Sequence, residues 1–184
     1  MDFLCFDFIN TQWYAAHNPG FEPLRDKTWM EDFSAKWELN AGCALSERQF
    51  RQLAELRALL FDIVVDLHTG KGIRDQRLAK FNRYLSLTPL NHELLQEENT
   101  YKVVLTPACR DWKYVLYKIA SSLAEVITAH GAEKIRVCDN PACRWVFLDN
   151  SRNRSRRWCS NTCSSLIKVR KFRESQKSRG NCME

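Results

Sequence analysis

Four cysteines near the C-terminus constrain this chain more than any other feature. Cys138 and Cys143 form a Cys-x4-Cys pair and Cys159 and Cys163 a Cys-x3-Cys pair, with fifteen residues rich in aromatic and basic side chains between them. Two short-spaced pairs deliver four soft ligands to one tetrahedral ion at little loop-closure cost. The spacing therefore predicts one structural zinc with every coordination position filled by protein. The competing reading, four unrelated buried thiols, needs both pairs to be coincidence. Zinc is preferred to iron because no cluster motif is present.

The ligands lie in a basic setting. Residues 134–184 hold 13 Lys/Arg against 4 Asp/Glu, a balance of +9, whereas residues 1–133 hold 15 against 18, a balance of −3. A near-neutral globule joined to a basic module points toward a polyanionic partner. The opening Met1-Asp2-Phe3-Leu4-Cys5-Phe6-Asp7 lacks the basic flank of a signal peptide, and no apolar run reaches membrane-spanning length. The expected setting is the cytoplasm, with no membrane partner, and the eight cysteines are read as reduced thiols and metal ligands.

Along the chain, helical patterns dominate the first two thirds. Phe3–Thr11 reads as a short helix or strand, residues 17–30 as a loop, and Met30–Gly42 as a short helix with Phe33 and Trp37 on one face. The clearest helix runs from Glu47 to His68, opened by the capping box Ser46/Gln49. Its apolar stripe of Phe50, Leu53, Ala54, Leu60, Phe61 and Val64 is interrupted only by Arg57. Asp75–Leu85 and Asp111–His130 are further helices, the latter ended by Gly131, and residues 90–106 form a hairpin turning at Glu97-Glu98-Asn99. The fold expected is a mainly α N-terminal domain with a small β-hairpin over residues 1–132. A zinc-ribbon or treble-clef-like module over 133–178, hairpin then helix, and a tail over 179–184 complete the chain.

Within the module, Ile135-Arg136-Val137 and Trp145-Val146-Phe147 read as strands, with Pro141 in the turn between the first two cysteines. Ser160 or Asn161 caps a helix to about Gln176, whose Leu166, Val169 and Phe172 are expected to seal it onto the hairpin. With few apolar residues of its own, the module is expected to draw most of its folding free energy from zinc, on the order of 10 kcal/mol. Arg152, Arg154, Arg156, Arg157, Lys168, Arg170, Lys171 and Arg173 are the candidate nucleic-acid contacts, since the planar guanidinium binds phosphate bidentately. Arg144, Arg156 and Arg157 have a second reading: four thiolates on zinc carry a net charge of about −2, which they would compensate. Trp145 and Trp158 either stack on unpaired bases or form the module's core.

Arg136-Val-Cys138, Cys143-Arg-Trp145-Val-Phe147-Leu-Asp149-Asn-Ser151-Arg152-Asn153 and Arg156-Arg157-Trp158-Cys159-Ser160 closely resemble the CGNR zinc-finger family. That family's N-terminal ABATE domain opens with a Leu-Asp-Phe-x-Asn-Thr-like stretch, to which Phe6-Asp7-Phe8-Ile9-Asn10-Thr11 is similar. The resemblance implies a bacterial, stress-responsive transcription regulator with a structural zinc finger. The family is named for Cys-Gly-Asn-Arg at the last ligand, where this chain has Cys163-Ser164-Ser165-Leu166. The retained cysteine predicts that zinc binding survives, with Lys168 or Arg170 replacing any contact of the absent Asn or Arg.

Elsewhere, His17, His68, His92 and His130 are scattered and read as structural, and Cys5, Cys43, Cys109 and Cys182 show no pairing logic. Asp7, Asn10 and Trp13, polar positions in an apolar opening segment, are candidate small-molecule contacts, against the plainer reading of caps and core hydrogen bonds. No catalytic residue is identified, and a zinc with four thiolates has no position open for water, so an enzyme is not expected. The leading expectation is a DNA-binding regulator on double-stranded DNA, compatible with a homodimer and with an effector of unknown chemistry. The alternatives are an RNA-binding protein and a protein-interaction adaptor with a purely architectural zinc.

Overall fold

The longest helix begins where its capping box places it. In the computed structural model, which describes residues 2–39 and 45–180, the Gln49 amide donates to Ser46 Oγ at 3.3 Å and the Ser46 amide to Gln49 Oε1 at 2.9 Å. In chain order the helices are α1 (Leu4–His17), α2 (Lys27–Lys36), α3 (Glu47–His68), α4 (Asp75–Leu85), α5 (Trp112–His130) and α6 (Asn161–Gly180). Two ribbons accompany them, β1 (Leu90–Glu97) with β2 (Thr100–Pro107), and β3 (Ile135–Val137) with β4 (Val146–Leu148).

Several boundaries differ from the sequence reading, among them the end of α2 at Lys36 and that of α6 at Gly180, past the expected Gln176. The opening segment is a helix, extending to His17, because Leu4, Cys5, Phe8 and Ile9 recur at helical spacing and are all buried. Helix α2 starts at Lys27, inside the expected loop, because the Asp26 carboxylate accepts the Trp29 amide at 2.8 Å and caps it. The stretch from Asn40 to Gly42 expected to prolong α2, like Cys43, residues 181–184 of the expected tail and Cys182 among them, lies outside the described residues. The remaining described cysteines outside the metal-binding set, Cys5 and Cys109, are free thiols; burial pushes Cys5 up to about 12.

Helices α1, α3 and α5 supply the centre of one core through Phe8, Ile9, Leu56, Leu60, Ile63, Ile119 and Leu123. Arg57, the lone charge on the apolar stripe of α3, is 12% exposed and has its own purpose. Its guanidinium holds both Glu22 oxygens at 2.8 and 2.9 Å and Thr11 Oγ1 at 2.8 Å, tying the loop before α2 to α1 and α3. Gly131 ends α5 at φ +91°, a backbone conformation that residues with a Cβ rarely adopt, which favours glycine there.

The β3–β4 ribbon is built into that core. Ile135 lies opposite Leu148 and Val137 opposite Val146, and Ile135, Val137 and Val146 are essentially inaccessible among the same side chains of α1, α3 and α5. Among the described residues α6 is not sealed onto the ribbon as expected: Leu166 and Val169 are each 46% exposed and Phe172 is 64% exposed. Ribbon strands of three residues span about 10 Å, whereas a 20-residue helix is about 30 Å long, so the ribbon underlies only the start of α6.

Candidate zinc centre and nucleic-acid interface

Strand β3 ends directly at Cys138, and the chain turns back on itself through Asp139–Arg144. The Cys143 amide donates to the Asn140 carbonyl at 2.8 Å and the Cys138 amide to the Trp145 carbonyl at 2.8 Å, while Arg144 takes φ +57° to re-enter β4. Beyond β4, Asp149 organises the loop. Fully buried, it accepts the Ser151 amide at 2.9 Å, the Ser151 hydroxyl at 2.6 Å and the Arg156 amide at 2.9 Å. Burial pulls its pKa up, but these donors and Arg136 outweigh that and leave it below the usual carboxylate value. The loop so held returns Cys159 to the first pair, and Cys163 follows in the first turn of α6.

The four Sγ atoms all lie within 4.8 Å of one another. Cys143 and Cys159 are 3.6 Å apart and Cys159 and Cys163 3.7 Å. Four sulfurs at about 2.3 Å from a tetrahedral zinc stand about 3.8 Å apart, so the cluster fits the ion, and these separations are far too long for disulfides. Burial pushes the Cys143 thiol up to about 11 and raises Cys159 further, whereas hydrogen bonds led by that of Asn140 outweigh burial and lower Cys163. A cation is what makes four such thiolates compatible. The residues that hold one structural zinc are thus Cys138, Cys143, Cys159 and Cys163.

Around the sulfurs lie side chains that sequence reasoning did not single out. Asn140, 3% exposed, directs Nδ2 to Cys163 Sγ at 3.5 Å and accepts the Ala142 amide at 3.2 Å. Its signal was an Asx-type residue before Pro141 in the turn. His17 places Nδ1 against the Trp13 carbonyl at 2.7 Å and Nε2 against the Ala142 carbonyl at 2.5 Å. His68 faces Asp139 at 3.7 Å; burial lowers its pKa, more than Asp139 raises it. Both histidines therefore join helix ends to the first cysteine loop, which their scattered sequence positions concealed.

Asp7, Asn10 and Trp13 face three different sets of partners. Asp7 accepts from Lys36 at 2.6 Å and from the Trp37 indole at 3.2 Å. Asn10, 3% exposed, donates to the Val146 carbonyl at 3.0 Å and accepts the Val146 amide at 2.8 Å. Trp13 packs edge-on against Trp145 at 5.9 Å and against the cysteine cluster. Trp145 and Trp158 pack on that same cluster, in keeping with the core reading. A groove of about 1020 Å³ lies instead between α3 and α4, lined by Leu59, Asp62, Arg77, Lys80, Arg83 and Tyr84 among others.

The candidate phosphate contacts divide into two groups. Arg157 pairs with Asp139 at 2.6 Å beside the Trp158 ring. Arg156 donates to the Trp158 carbonyl at 2.9 Å and to the Cys159 carbonyl and lies over Phe147. Arg154, at φ +51°, pairs with Glu133 at 2.9 Å. Arg152, Lys168, Arg170, Lys171 and Arg173 are exposed, and among the described residues none has an acidic partner.

Fold and site together define a mainly helical protein carrying a structural four-cysteine zinc finger. The chain belongs to the ABATE family, described as "putative stress-induced transcription regulator", whose model matches residues 2–130. The CGNR zinc finger model matches residues 134–176. The resemblance drawn from the sequence thus holds at both ends. No curated protein matches the chain. Among the described residues no helix is long and apolar enough to cross a membrane.

Proposed function

We propose that this chain is a DNA-binding transcription regulator of the bacterial cytoplasm, acting without catalysis. In this reading α6 and Arg152 grip the phosphate backbone while the zinc fixes α6 to the body. The observation that carries the reading is the division among the arginines. Arg154, Arg156 and Arg157 hold the zinc loops together, whereas Arg152, Lys168, Arg170, Lys171 and Arg173 project without acidic partners among the described residues. Uncommitted cations displace counterions from a duplex, so affinity follows salt. The working division remains a helical region over 1–132 and the zinc module over 133–178. A sensing role for the helical region would use the groove between α3 and α4, because the amide of Asn10 is already occupied.

An RNA-binding reading needs Trp145 and Trp158 free to stack, and both are packed on the cysteines. The adaptor reading has one observation in its favour, the exposed apolar side chains of β1–β2. Binding to random duplex DNA followed by fluorescence anisotropy across salt concentrations separates these readings. Five phosphate contacts give a slope of log affinity on log salt near ~−4.5. A slope near zero for duplex and single strand alike would overturn the proposal in favour of the adaptor.

A further inference from the structure

The β1–β2 ribbon is patterned for a cover that the described residues of its own chain do not provide. Cross-strand pairs share a face, so His92 with Leu105, Leu94 with Val103, and Gln96 with Tyr101 line one side. The other side carries Asn91 with Thr106, Glu93 with Val104, Leu95 with Lys102, and Glu97 with Thr100. Leu95 and Val104 interrupt the second side, but the first is the more apolar and carries no charged residue. Yet on the apolar side Leu94 and Tyr101 are 66% exposed, Val103 62% and Leu105 56%. No third strand joins the pair among the described residues, and a two-stranded ribbon alone is marginal in water.

We infer that the β1–β2 ribbon is a homodimerisation arm, its Leu94/Tyr101/Val103/Leu105 face packing on the same face of a second copy about a two-fold axis. Charge selects that occupant. The face contains no Asp, Glu, Lys or Arg, so it meets its own image without like-charge repulsion. The ribbon as a whole holds Glu93, Glu97, Glu98 and one cation, Lys102, which repels a nucleic acid. Area agrees. At these exposures the four side chains leave on the order of 500 Å² per copy, so two copies bury about 1,000 Å², the lower bound for a specific interface. A two-fold contact of one patch with itself also closes the assembly, whereas docking the patch elsewhere on the body would propagate a chain of copies. The inference is independent of DNA binding.

The test is the mass of the zinc-loaded full chain by sedimentation equilibrium over the micromolar range, compared with Leu94→Lys and Val103→Lys. The expected result is a concentration-dependent dimer for the parent chain and a monomer for each variant, with zinc content and helical circular dichroism unchanged. A monomeric parent, or variants that stay dimeric, overturns the inference. Hydrogen exchange of the unmodified chain serves as a second measurement free of folding artefacts. Amides of residues 90–107 should gain protection as concentration rises through the dimer transition, and protection that ignores concentration equally overturns it.

Discussion

Asn10 of α1 and Val146 of β4 exchange two hydrogen bonds, at 3.0 Å from the side-chain amide to the carbonyl and at 2.8 Å from the backbone amide to Oδ1. The carboxamide thus occupies the place that a third strand would take beside the zinc ribbon. All the polar groups involved are buried.

Asn10→Ala is therefore expected to strand a buried donor and a buried acceptor, costing about 2–4 kcal/mol. Thermal denaturation should give a lower midpoint while zinc stoichiometry stays at one. Full stability in the variant would show that the contact is dispensable.

Removing the metal should reach further than the ligand loops. Because Ile135, Val137 and Val146 sit in the helical core, Cys159→Ser is expected to release zinc and also to loosen α1 and α3. Hydrogen exchange over α1 and α3 with and without the metal checks this. Protons compete for the thiolates, so acidification should release zinc as well.

On the basic surface, each of Lys168→Ala, Arg170→Ala, Lys171→Ala and Arg173→Ala is expected to lower the salt slope of duplex binding by about 0.9 without moving the melting midpoint. Arg156→Ala should do the reverse, lowering zinc retention by loosening the carbonyls of Trp158 and Cys159. Equal effects from both groups would erase the distinction between gripping and scaffolding arginines.

Acid should attack the body through Asp66. This carboxylate is 2% exposed, and its ion pair with Arg77 at 2.6 Å outweighs burial and holds its pKa below the ordinary value. A depressed folded pKa contributes stability that is full above the unfolded value, about pH 4, and is lost as pH falls through the folded one. Asp66→Asn should accordingly destabilise the chain at pH 7 in urea denaturation, with the gap from the parent narrowing in acid. A gap independent of pH would mean that the ion pair carries none of the effect.

What could be read in the sequence followed from local chemistry. Ser46/Gln49, Asp111 and Gly131 mark helix ends through bonds made within a few residues, and the four cysteines announce their site by spacing alone. What could not be read depends on partners distant in sequence. Asn10 is separated from Val146 by 136 positions, His17 from Ala142 by 125 and Arg57 from Glu22 by 35. Leu166, Val169 and Phe172 misled because an apolar helical stripe looks the same whether or not the body is long enough to lie beneath it.

Helix α6 leaves the body after Cys163, and the metal at its root sets its heading. A twenty-residue rod clamped at one end multiplies any tilt at the clamp into a larger sweep at the tip. Sub-ångström changes in how Asn140 and the sulfurs sit would swing Arg170 and Arg173 by much more. The zinc here is less a rivet than the mount of a pointer, and its coordination geometry is where the aim of the basic helix is set.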